Sequence, residues 1–263
     1  MSGHAPVLLE VRDGIAHLTL NRPDEANAID VPLATALRGA VTELRDDRSV
    51  RVVLLSGAGA RFCGGGDVTR LASQRDRLGE ELTEILTPLH RAIDDLVRLD
   101  APVVAAVQGS AAGAGLALVA AADLVVTGAS AKFVFAYNGI GLTPDASASW
   151  HLPRVIGLRR ATELALTNRV LTADEALNWG LVNEVVPDGS IATRAGALAE
   201  RLARGPTRAF AATLRLFRES VDTPLAAQLE RELETIVDTA GTQDAVEGVA
   251  AFSDRRPPEF RGS

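Results

Sequence analysis

Two glycine-rich segments carry the residue types best suited to stabilising a negative charge on a bound ligand. Residues 62–67 read Phe-Cys-Gly-Gly-Gly-Asp, and residues 109–115 read Gly-Ser-Ala-Ala-Gly-Ala-Gly. Small residues let a ligand approach the backbone closely, and a helix that begins there points free N–H groups outward. Two such N–H groups that converge on one oxygen form an oxyanion hole. The alternative is that these glycines only permit tight turns and close packing.

Neither glycine segment fits a nucleotide-binding fingerprint. Residues 113–118 lack the third glycine of a dinucleotide-binding loop, and no Gly-Lys-Ser/Thr sequence follows either segment. The single cysteine, Cys63, cannot form a disulfide within the chain. We expect no metal site, and we expect His4, His17 and His151 to be structural or exposed.

The composition argues against two classes of partner. The 263 residues include 27 basic and 34 acidic side chains, for a net charge of −7. Because nucleic-acid affinity rests largely on a clustered positive field, we expect no nucleic-acid partner. Polar residues and glycines interrupt the longest apolar run, residues 101–126, so we expect a buried strand, turn and helix there and no membrane span. With no signal peptide recognised, the expected location is cytoplasmic.

The elements that position the glycine segments are predicted to be strands alternating with helices. This alternation is typical of an α/β fold. Residues 7–12 and 15–20 flank Asp13-Gly14, a strong hairpin signal. Buried strands are predicted directly before the two glycine segments, at residues 50–55 and 103–107. A helix and two further strands are predicted at residues 33–44, 124–126 and 132–135.

An apolar stripe at helical spacing runs through residues 78–99 and is interrupted by Pro88. Because proline suits the first turn of a helix and Thr87 is a good N-cap, we predict a break and a second helix from Pro88. His90 would then lie near the positive end of the helix dipole, which leaves a neutral imidazole able to accept a proton. The alternative is a half-buried histidine that borders the apolar stripe.

The chain after Thr172 is predicted to be almost wholly helical. One helix begins at residues 172–175, and further helices are expected at residues 191–202, 207–220 and 225–240. We therefore divide the chain into a core over residues 1–198 and a helical C-terminal region over residues 199–263.

Five segments together resemble the enoyl-CoA hydratase/isomerase (crotonase) superfamily: residues 20–28, 61–68, 101–109, 173–186 and 247–252. The most similar branches are the epoxyphenylacetyl-CoA isomerase-like and 4-chlorobenzoyl-CoA dehalogenase-like enzymes. The resemblance implies a spiral core of strand–strand–helix turns and a C-terminal region that forms a homotrimer or a dimer of trimers. It also implies an acyl-CoA thioester as substrate, with coenzyme A as part of that substrate and no permanently bound cofactor.

The resemblance further implies that the thioester carbonyl accepts hydrogen bonds from the N–H groups of Gly64 and Ala114. One such donor is worth about 3 kcal/mol of the barrier to forming an enolate. Hydratases of the family use two glutamates to hold and activate water, and the aligned positions are Ala117 and Tyr137. Because both carboxylates are absent, hydration by the usual mechanism is not expected.

Three side chains could replace the missing glutamates. Asp145 occupies a position where isomerase branches carry an acid, and a partly desolvated carboxylate can move a proton between the carbons of a held enolate. The alternative is that Asp145 only caps a helix beginning at Ala146. Tyr137 could orient Asp145 or the substrate, or it could only shape the acyl pocket. His90 could accept a proton, whereas Cys63 is expected to be a small buried filler, as small residues are at this place in the family.

The resemblance also implies two groups of residues around the coenzyme. A loop and the first glycine segment would hold its nucleotide end through Arg22, Ala26, Ala28, Gly65, Gly66 and Asp67. The last helix would approach the phosphates through Phe252 and Arg255, with Arg256 beside them. These residues would come either from the same chain or from a neighbouring subunit. The alternative for these arginines is plain solvation.

The expected function is an enoyl-CoA isomerase-type proton transfer, with the enolate held by Gly64 and Ala114 and the proton moved by Asp145. Three alternatives stay open: a hydratase with a non-standard mechanism, a 4-chlorobenzoyl-CoA dehalogenase-like hydrolase and a non-catalytic acyl-CoA binder. In the dehalogenase-like reaction an aspartate at the Asp145 position attacks the ring and a histidine at the His90 position activates water.

Overall fold

A computed structural model describes residues 5–263, so His4 lies outside the described residues. The strands within this range are β1 (Val7–Arg12), β2 (Ile15–Leu20), β3 (Val52–Gly57), β4 (Val103–Val107), β5 (Ser110–Ala112), β6 (Leu124–Gly128), β7 (Lys132–Val134), β8 (Val170–Thr172) and β9 (Glu184–Val186). The helices are α1 (Val31–Asp46), α2 (Val68–Ser73), α3 (Leu78–Val97), α4 (Ala114–Ala121), α5 (Ala148–Ile156), α6 (Leu158–Thr167), α7 (Ala173–Trp179), α8 (Ile191–Ala203), α9 (Thr207–Ser220), α10 (Leu225–Ala240) and α11 (Gln243–Ser253).

The N-terminal hairpin has the bounds that the sequence predicts. Strands β1 and β2 are antiparallel, with Val7 opposite Leu20 and Arg12 opposite Ile15. Asp13 and Gly14 have φ values of 52° and 75°, the positive φ at both central residues that a type I′ turn requires. The hairpin forms the edge of a larger sheet, because β2 pairs in parallel with β3.

Two sheets are built by one recurring order of elements. The larger sheet has the strand order β1-β2-β3-β4-β6-β9, and the smaller has the order β5-β7-β8. The chain passes from a strand of the larger sheet to one of the smaller sheet and then to a helix, as in β4, β5 and α4 and again in β6, β7 and α5. Earlier in the chain, single bridges replace the second strand: Ile29 pairs with Gly66, and Cys63 pairs with Ala111. The expected strand–strand–helix spiral is therefore present.

The hydrophobic core lies on both faces of the larger sheet, because successive side chains of a strand point to opposite faces. In β3, Val53 and Leu55 join the main cluster, which also contains the inner faces of α1, α3 and α4. Val52 and Leu54 point to the other face, where α8 covers them. The strands that precede the glycine segments are thus buried on both sides, as their apolar sequences predict.

Helix α3 corrects the prediction of a break at Pro88, since it runs without interruption from Leu78 to Val97. The Thr87 hydroxyl donates to the Thr83 carbonyl of the preceding turn, so Thr87 does not act as an N-cap. Proline has no N–H to give to the carbonyl one turn earlier, but the buried stripe of Ile85, Leu89 and Ile93 continues across it. His90 therefore lies in the interior of a long helix, away from the positive end of its dipole.

The C-terminal helices agree closely with the prediction. Thr172 and Glu175 form a capping box at the start of α7, and α9 and α10 have the predicted bounds. The boundary between residues 198 and 199 falls inside α8, however, and α8 packs on the larger sheet. The elements after Gly205 are the helices α9, α10 and α11. Within residues 5–263, no helix is long and apolar enough to cross a membrane.

Candidate active site

The two glycine segments, which follow the carboxyl ends of β3 and β4, lie in direct contact. A Cβ atom placed on Gly65 would lie 2.8 Å from the Ala112 carbonyl oxygen and 3.6 Å from the Gly113 Cα atom. Gly65 also has a φ of +92°, so both space and backbone conformation require glycine there. The parallel bridge between Cys63 and Ala111 fixes this contact. The carboxyl edge of parallel strands is the usual place for a ligand in α/β folds.

The N–H group of Gly64 is not available as an oxyanion donor, which corrects the expectation for this residue. It donates to the Ala26 carbonyl at 2.9 Å. Gly66 is different, because in its parallel bridge with Ile29 the hydrogen bonds are made by the Gly65 carbonyl and the Asp67 N–H. The N–H of Gly66 thus points away from Ile29, and it has no hydrogen-bond acceptor among the described residues.

A second free donor lies at the start of α4. The N–H of Ala114, the first residue of this helix, has no acceptor in the part of the chain that the structure describes. Gly113 precedes it with φ 51° and ψ −120°, a conformation open to glycine. Gly65 and Gly113 are in contact, and the residue that follows each of them carries a free N–H among the described residues. These two residues are Gly66 and Ala114. Ala117, at the position of one hydratase glutamate, is completely buried.

Tyr137 connects the second glycine segment with Asp145. Two carbons of its ring would lie 3.9 Å from a Cβ atom on Gly113, and its hydroxyl donates to the main-chain carbonyl of Asp145 at 3.3 Å. The ring also packs edge-to-face on Phe135 with a centroid distance of 5.1 Å. Burial raises the pKa of the Tyr137 phenol, and the neighbouring Asp145 carboxylate raises it further. The phenol is therefore a hydrogen-bond donor at neutral pH and not a base.

The Asp145 carboxyl is held without a hydrogen-bond partner on one oxygen. Its Oδ1 atom is buried, and no donor within residues 5–263 reaches it. Burial raises the pKa of Asp145, and the neighbouring Tyr137 hydroxyl and His90 partly oppose this shift. Helix α5 begins at Ala148 without a side-chain cap, so the alternative that Asp145 caps a helix from Ala146 is wrong. A buried carboxyl with a raised pKa and a free oxygen is suited to proton transfer.

His90 reaches the same loop from α3. Its Nε2 atom accepts a hydrogen bond from the Ala146 N–H at 3.2 Å. His90, Asp145 and Ala146 line a cavity of about 690 Å³, which Arg215 and Arg218 of α9 also line. His151, from α5, also lines this cavity, and its Nδ1 lies 2.9 Å from the Ser147 hydroxyl oxygen.

The Arg22 side chain is occupied by partners in its own loop and in the first glycine segment. Its guanidinium donates to the Ala28 carbonyl at 2.6 Å and lies 3.2 Å from Asp30 and 3.4 Å from Asp67. Asp67 in turn caps α2 by accepting the Arg70 N–H at 3.0 Å. Arg22 therefore shapes the loop that approaches the glycine segments, and its charge is already neutralised.

Asn27 organises this loop, and the sequence reasoning did not single it out. Its side-chain nitrogen donates to the carbonyls of Ala58, Arg61 and Phe62, and its side-chain oxygen accepts the Arg22 N–H. Asn27 is fully buried with a φ of 54°, a conformation that asparagine tolerates better than most residues. The sequence signal that could have identified it is an asparagine within residues 20–28, one of the five segments that resemble the family. Because it ties residues 22–28 to residues 58–62, it positions the first glycine segment.

Cys63 is the buried filler that the sequence predicts. Its thiol donates to the Asn27 carbonyl at 3.3 Å, and the side chain packs against Gly115. Burial raises the pKa of the Cys63 thiol to about 12, so the nucleophilic thiolate is scarce at neutral pH. No group of three or more His, Cys, Asp and Glu side chains in residues 5–263 is arranged to hold a metal ion.

Phe252 and Arg255 lie apart from the glycine segments within this chain. The Phe252 side chain is 88% exposed on α11, and Arg255 follows with a φ of 54°. No hydrogen bond or ion pair among the described residues joins either side chain to residues 62–67 or 109–115. Arg256, in contrast, forms a two-bond ion pair with Glu247.

Comparisons with known proteins match this chain over nearly its whole length to enoyl-CoA hydratase/isomerase proteins. The sequence profile of the family described as "Enoyl-CoA hydratase/isomerase" matches residues 10–263. The chain is 40% identical over 262 residues to a "Probable enoyl-CoA hydratase" of Rhodobacter capsulatus, with 100% of both chains covered. It is 36% identical over 260 residues to the 1,2-epoxyphenylacetyl-CoA isomerase of Escherichia coli K12, with 97% of this chain and 98% of that one covered. The crystal structure of an enoyl-CoA hydratase from Polaromonas sp. JS666 superposes with a TM-score of 0.92 at 32% identity, covering 97% of this chain and 99% of that one.

Proposed function

Because the chain belongs to the enoyl-CoA hydratase/isomerase family and has its crotonase-type spiral, we propose that it isomerises a carbon–carbon double bond in an acyl-CoA thioester. Family membership supports the coarser part of this statement, an enzyme that processes acyl-CoA. The observation that carries the finer part is the buried, unpartnered Oδ1 of Asp145, which Tyr137 links to the glycine segments.

The thioester oxygen is held by the N–H groups of Gly66 and Ala114. These are the free donors on the two residues that follow the Gly65–Gly113 contact. As a proton leaves the carbon next to the carbonyl, negative charge develops on this oxygen, and each backbone donor lowers the barrier by about 3 kcal/mol. Neither side chain takes part, which is consistent with glycine at one position and alanine at the other.

Asp145 moves the proton. It removes a proton from one carbon of the acyl group and returns it to another, so the double bond shifts and the carboxyl ends in its starting state. Its raised pKa brings the carboxyl closer to the working pH than an exposed aspartate would be. The Tyr137 hydroxyl supports this step by holding the Asp145 main chain.

Hydration is the less favoured reaction for this chain, although the relative from Rhodobacter capsulatus carries a hydratase name. A hydratase of the usual kind needs two carboxylates to hold water, and the corresponding side chains here are Ala117 and Tyr137. The methyl of Ala117 is buried and cannot bind water, and the Tyr137 phenol stays protonated. Among the carboxyls that line the cavity, Asp145 is the one with a buried, unpartnered oxygen, and we assign it to the acyl group.

The coenzyme end of the substrate is assigned to the loop of residues 22–28 and to Gly65, Gly66 and Asp67. Arg22 contributes by holding this loop in shape. Phe252 on α11 and Arg255 just after it contribute from a neighbouring subunit, because both side chains are exposed within one chain. This arrangement requires a homotrimer or a dimer of trimers, which the exposed apolar side chains of α10 and α11 support.

The test is an assay of the purified protein with 3-enoyl-CoA, 2-enoyl-CoA and 4-chlorobenzoyl-CoA. We expect conversion of 3-enoyl-CoA to 2-enoyl-CoA, and a loss of about 10²-fold or more in kcat for Asp145→Asn. Glu219→Gln is the matched control, because Glu219 is a second carboxyl that lines the same cavity. Isomerase activity that survives Asp145→Asn would overturn the mechanism. Dehalogenation or hydration in its place, or tight coenzyme A binding without turnover of any thioester, would overturn the isomerase function.

A further inference from the structure

We propose that His90 is a positioning residue, which fixes the Asp145 carboxyl by accepting a hydrogen bond from the Ala146 N–H and does not exchange protons with the substrate. This inference rests on the proposed role of Asp145 in proton transfer. It replaces the expectation that a neutral His90 at a helix start acts as a base, since α3 is continuous through Pro88.

The backbone that follows Asp145 needs support from outside. Ala146 and Ser147 have φ values of 50° and 71°, and two consecutive residues with side chains rarely adopt this left-handed conformation. Such a conformation persists only where surrounding contacts determine it, and it is often found at functional sites. Here it turns the chain sharply between Asp145 and the start of α5, so it sets the direction of the Asp145 side chain.

Three of the hydrogen bonds at this turn come from three different elements. The Ala148 N–H of α5 donates to the Asp145 carbonyl at 2.9 Å, and the Tyr137 hydroxyl donates to the same carbonyl at 3.3 Å. The third bond runs from the Ala146 N–H to His90 Nε2 on α3. Because Ala146 is completely buried, its N–H has no water to replace this acceptor, and a buried donor without a partner is unfavourable.

The bond also defines the state of the imidazole. An Nε2 atom that accepts a hydrogen bond carries a lone pair and no proton, so the ring proton of the neutral form lies on Nδ1. The lone pair that a general base would use is directed at a backbone amide of the same protein. His90 therefore acts on the acyl group through the placement of Asp145, whose free Oδ1 it leaves unpaired.

Three variants separate positioning from proton transfer. A glutamine at position 90 can place Oε1 near the site of the imidazole Nε2 and accept the Ala146 N–H, but it cannot act as an acid or base near neutral pH. A leucine removes the acceptor. Arg91→Leu is the control, because this neighbour on α3 is exposed and forms no hydrogen bond or ion pair with the turn among the described residues.

For isomerisation of 3-enoyl-CoA we expect His90→Gln to keep kcat within about fivefold of the wild type and His90→Leu to lose about 10²-fold, with KM little changed in both. Loss of kcat in His90→Gln as large as in His90→Leu would show that the imidazole itself exchanges protons, and would overturn the proposal. Arg91→Leu is expected to match the wild type.

Hydrogen–deuterium exchange at the Ala146 amide gives a readout that does not depend on catalysis. We expect slow exchange in the wild type and in His90→Gln, and exchange faster by at least about tenfold in His90→Leu, with unchanged protection in the core of α3. Equal exchange in the wild type and His90→Leu would overturn the positioning bond. If the wild-type protein turns over no thioester, the proposed function fails, and the exchange result still decides whether His90 fixes the turn.

Discussion

Asp145 lies where its ionised form destabilises the folded protein. Burial raises the pKa of this carboxyl in the folded state above its value in the unfolded chain. Below both pKa values the carboxyl is protonated in both states and no penalty arises. As the pH rises through the folded-state pKa, the penalty grows to its full size, because the unfolded chain ionises at a lower pH.

We therefore expect Asp145→Asn to raise the free energy of unfolding, and to raise it more at pH 8 than at pH 4. The same variant should lose isomerase activity, since stability and activity often oppose each other at functional residues. Urea unfolding at the two pH values measures the difference. A variant that is less stable than the wild type at pH 8 would show that the carboxylate has a stabilising partner in solution.

Ala114 allows a direct test of a backbone donor, because proline is well tolerated at the first position of a helix. Ala114→Pro removes the N–H that we assign to the thioester oxygen, whereas Ala114→Gly keeps it. We expect kcat to fall by about 10²–10³-fold in the proline variant and by much less in the glycine variant. Steady-state kinetics with 3-enoyl-CoA, together with circular dichroism as a check on folding, tests this. Equal kcat in both variants would contradict the role of this N–H.

Among the helices, α5 carries a second group whose titration should affect stability. Burial lowers the pKa of His151 to about 4, below the value of about 6.5 in an unfolded chain. Between these two pKa values His151 is protonated in the unfolded chain and neutral in the folded protein. The free energy of unfolding therefore falls as the pH drops from about 6.5 to about 4. Allowing for partial solvent screening, we expect a loss of about 1–2 kcal/mol from this group.

His151→Gln should lack this contribution, so the free energy of unfolding should fall less between pH 7 and pH 4.5 in the variant than in the wild type. Urea denaturation at both pH values gives the comparison. A fall of the same size in both proteins would mean that His151 ionises freely in the folded state.

Long amphipathic elements were predictable from the sequence because their periodicity is imposed by burial. The hairpin of β1 and β2 and the helices α9 and α10 have the predicted bounds. The short strand β9 has no periodicity to detect in three residues, and its place depends on pairing with β6. The break predicted at Pro88 is wrong because burial of Ile85, Leu89 and Ile93 on one face outweighs the loss of one helical hydrogen bond.

The residues of the site were largely predictable from the sequence, but the hydrogen bonds that join them were not. The glycine segments and Asp145 could be identified from residue types and resemblance. The choice between Gly64 and Gly66 could not, because it depends on Ala26 accepting from one residue and Ile29 pairing beside the other. The same holds for Arg22, whose partner Asp67 lies 45 residues away in the sequence. Long-range pairing of this kind leaves no local pattern.

At the scale of the whole molecule, α10 carries an uncovered apolar face. Its exposed apolar side chains follow helical spacing and leave a stripe that no described element covers: Leu225, Leu229, Leu233, Ile236 and Val237. Monomeric proteins rarely expose apolar surface of this kind, and a second copy of the chain is the partner we propose.

We expect the wild-type protein to sediment as a trimer or hexamer, and a Leu229→Glu/Leu233→Glu variant to sediment as a monomer with its helical circular dichroism retained. Glu234→Gln, an exposed change on the same helix, should leave the assembly intact. Analytical ultracentrifugation measures this. A wild-type protein that is monomeric at micromolar concentration would contradict the assignment.

The parallel bridge between Cys63 and Ala111 has a consequence for how the sequence of such a protein can vary. It joins consecutive turns of the spiral by backbone pairing, which spaces neighbouring strands by about 4.8 Å whatever their side chains. Backbone pairing therefore sets the separation of the two free N–H groups. The segments that we assign to the acyl group, in α3 and around residues 137–151, lie outside this bridge. Insertions and substitutions there can alter which acyl group fits and how protons move, while the backbone site that we assign to the thioester oxygen keeps its geometry.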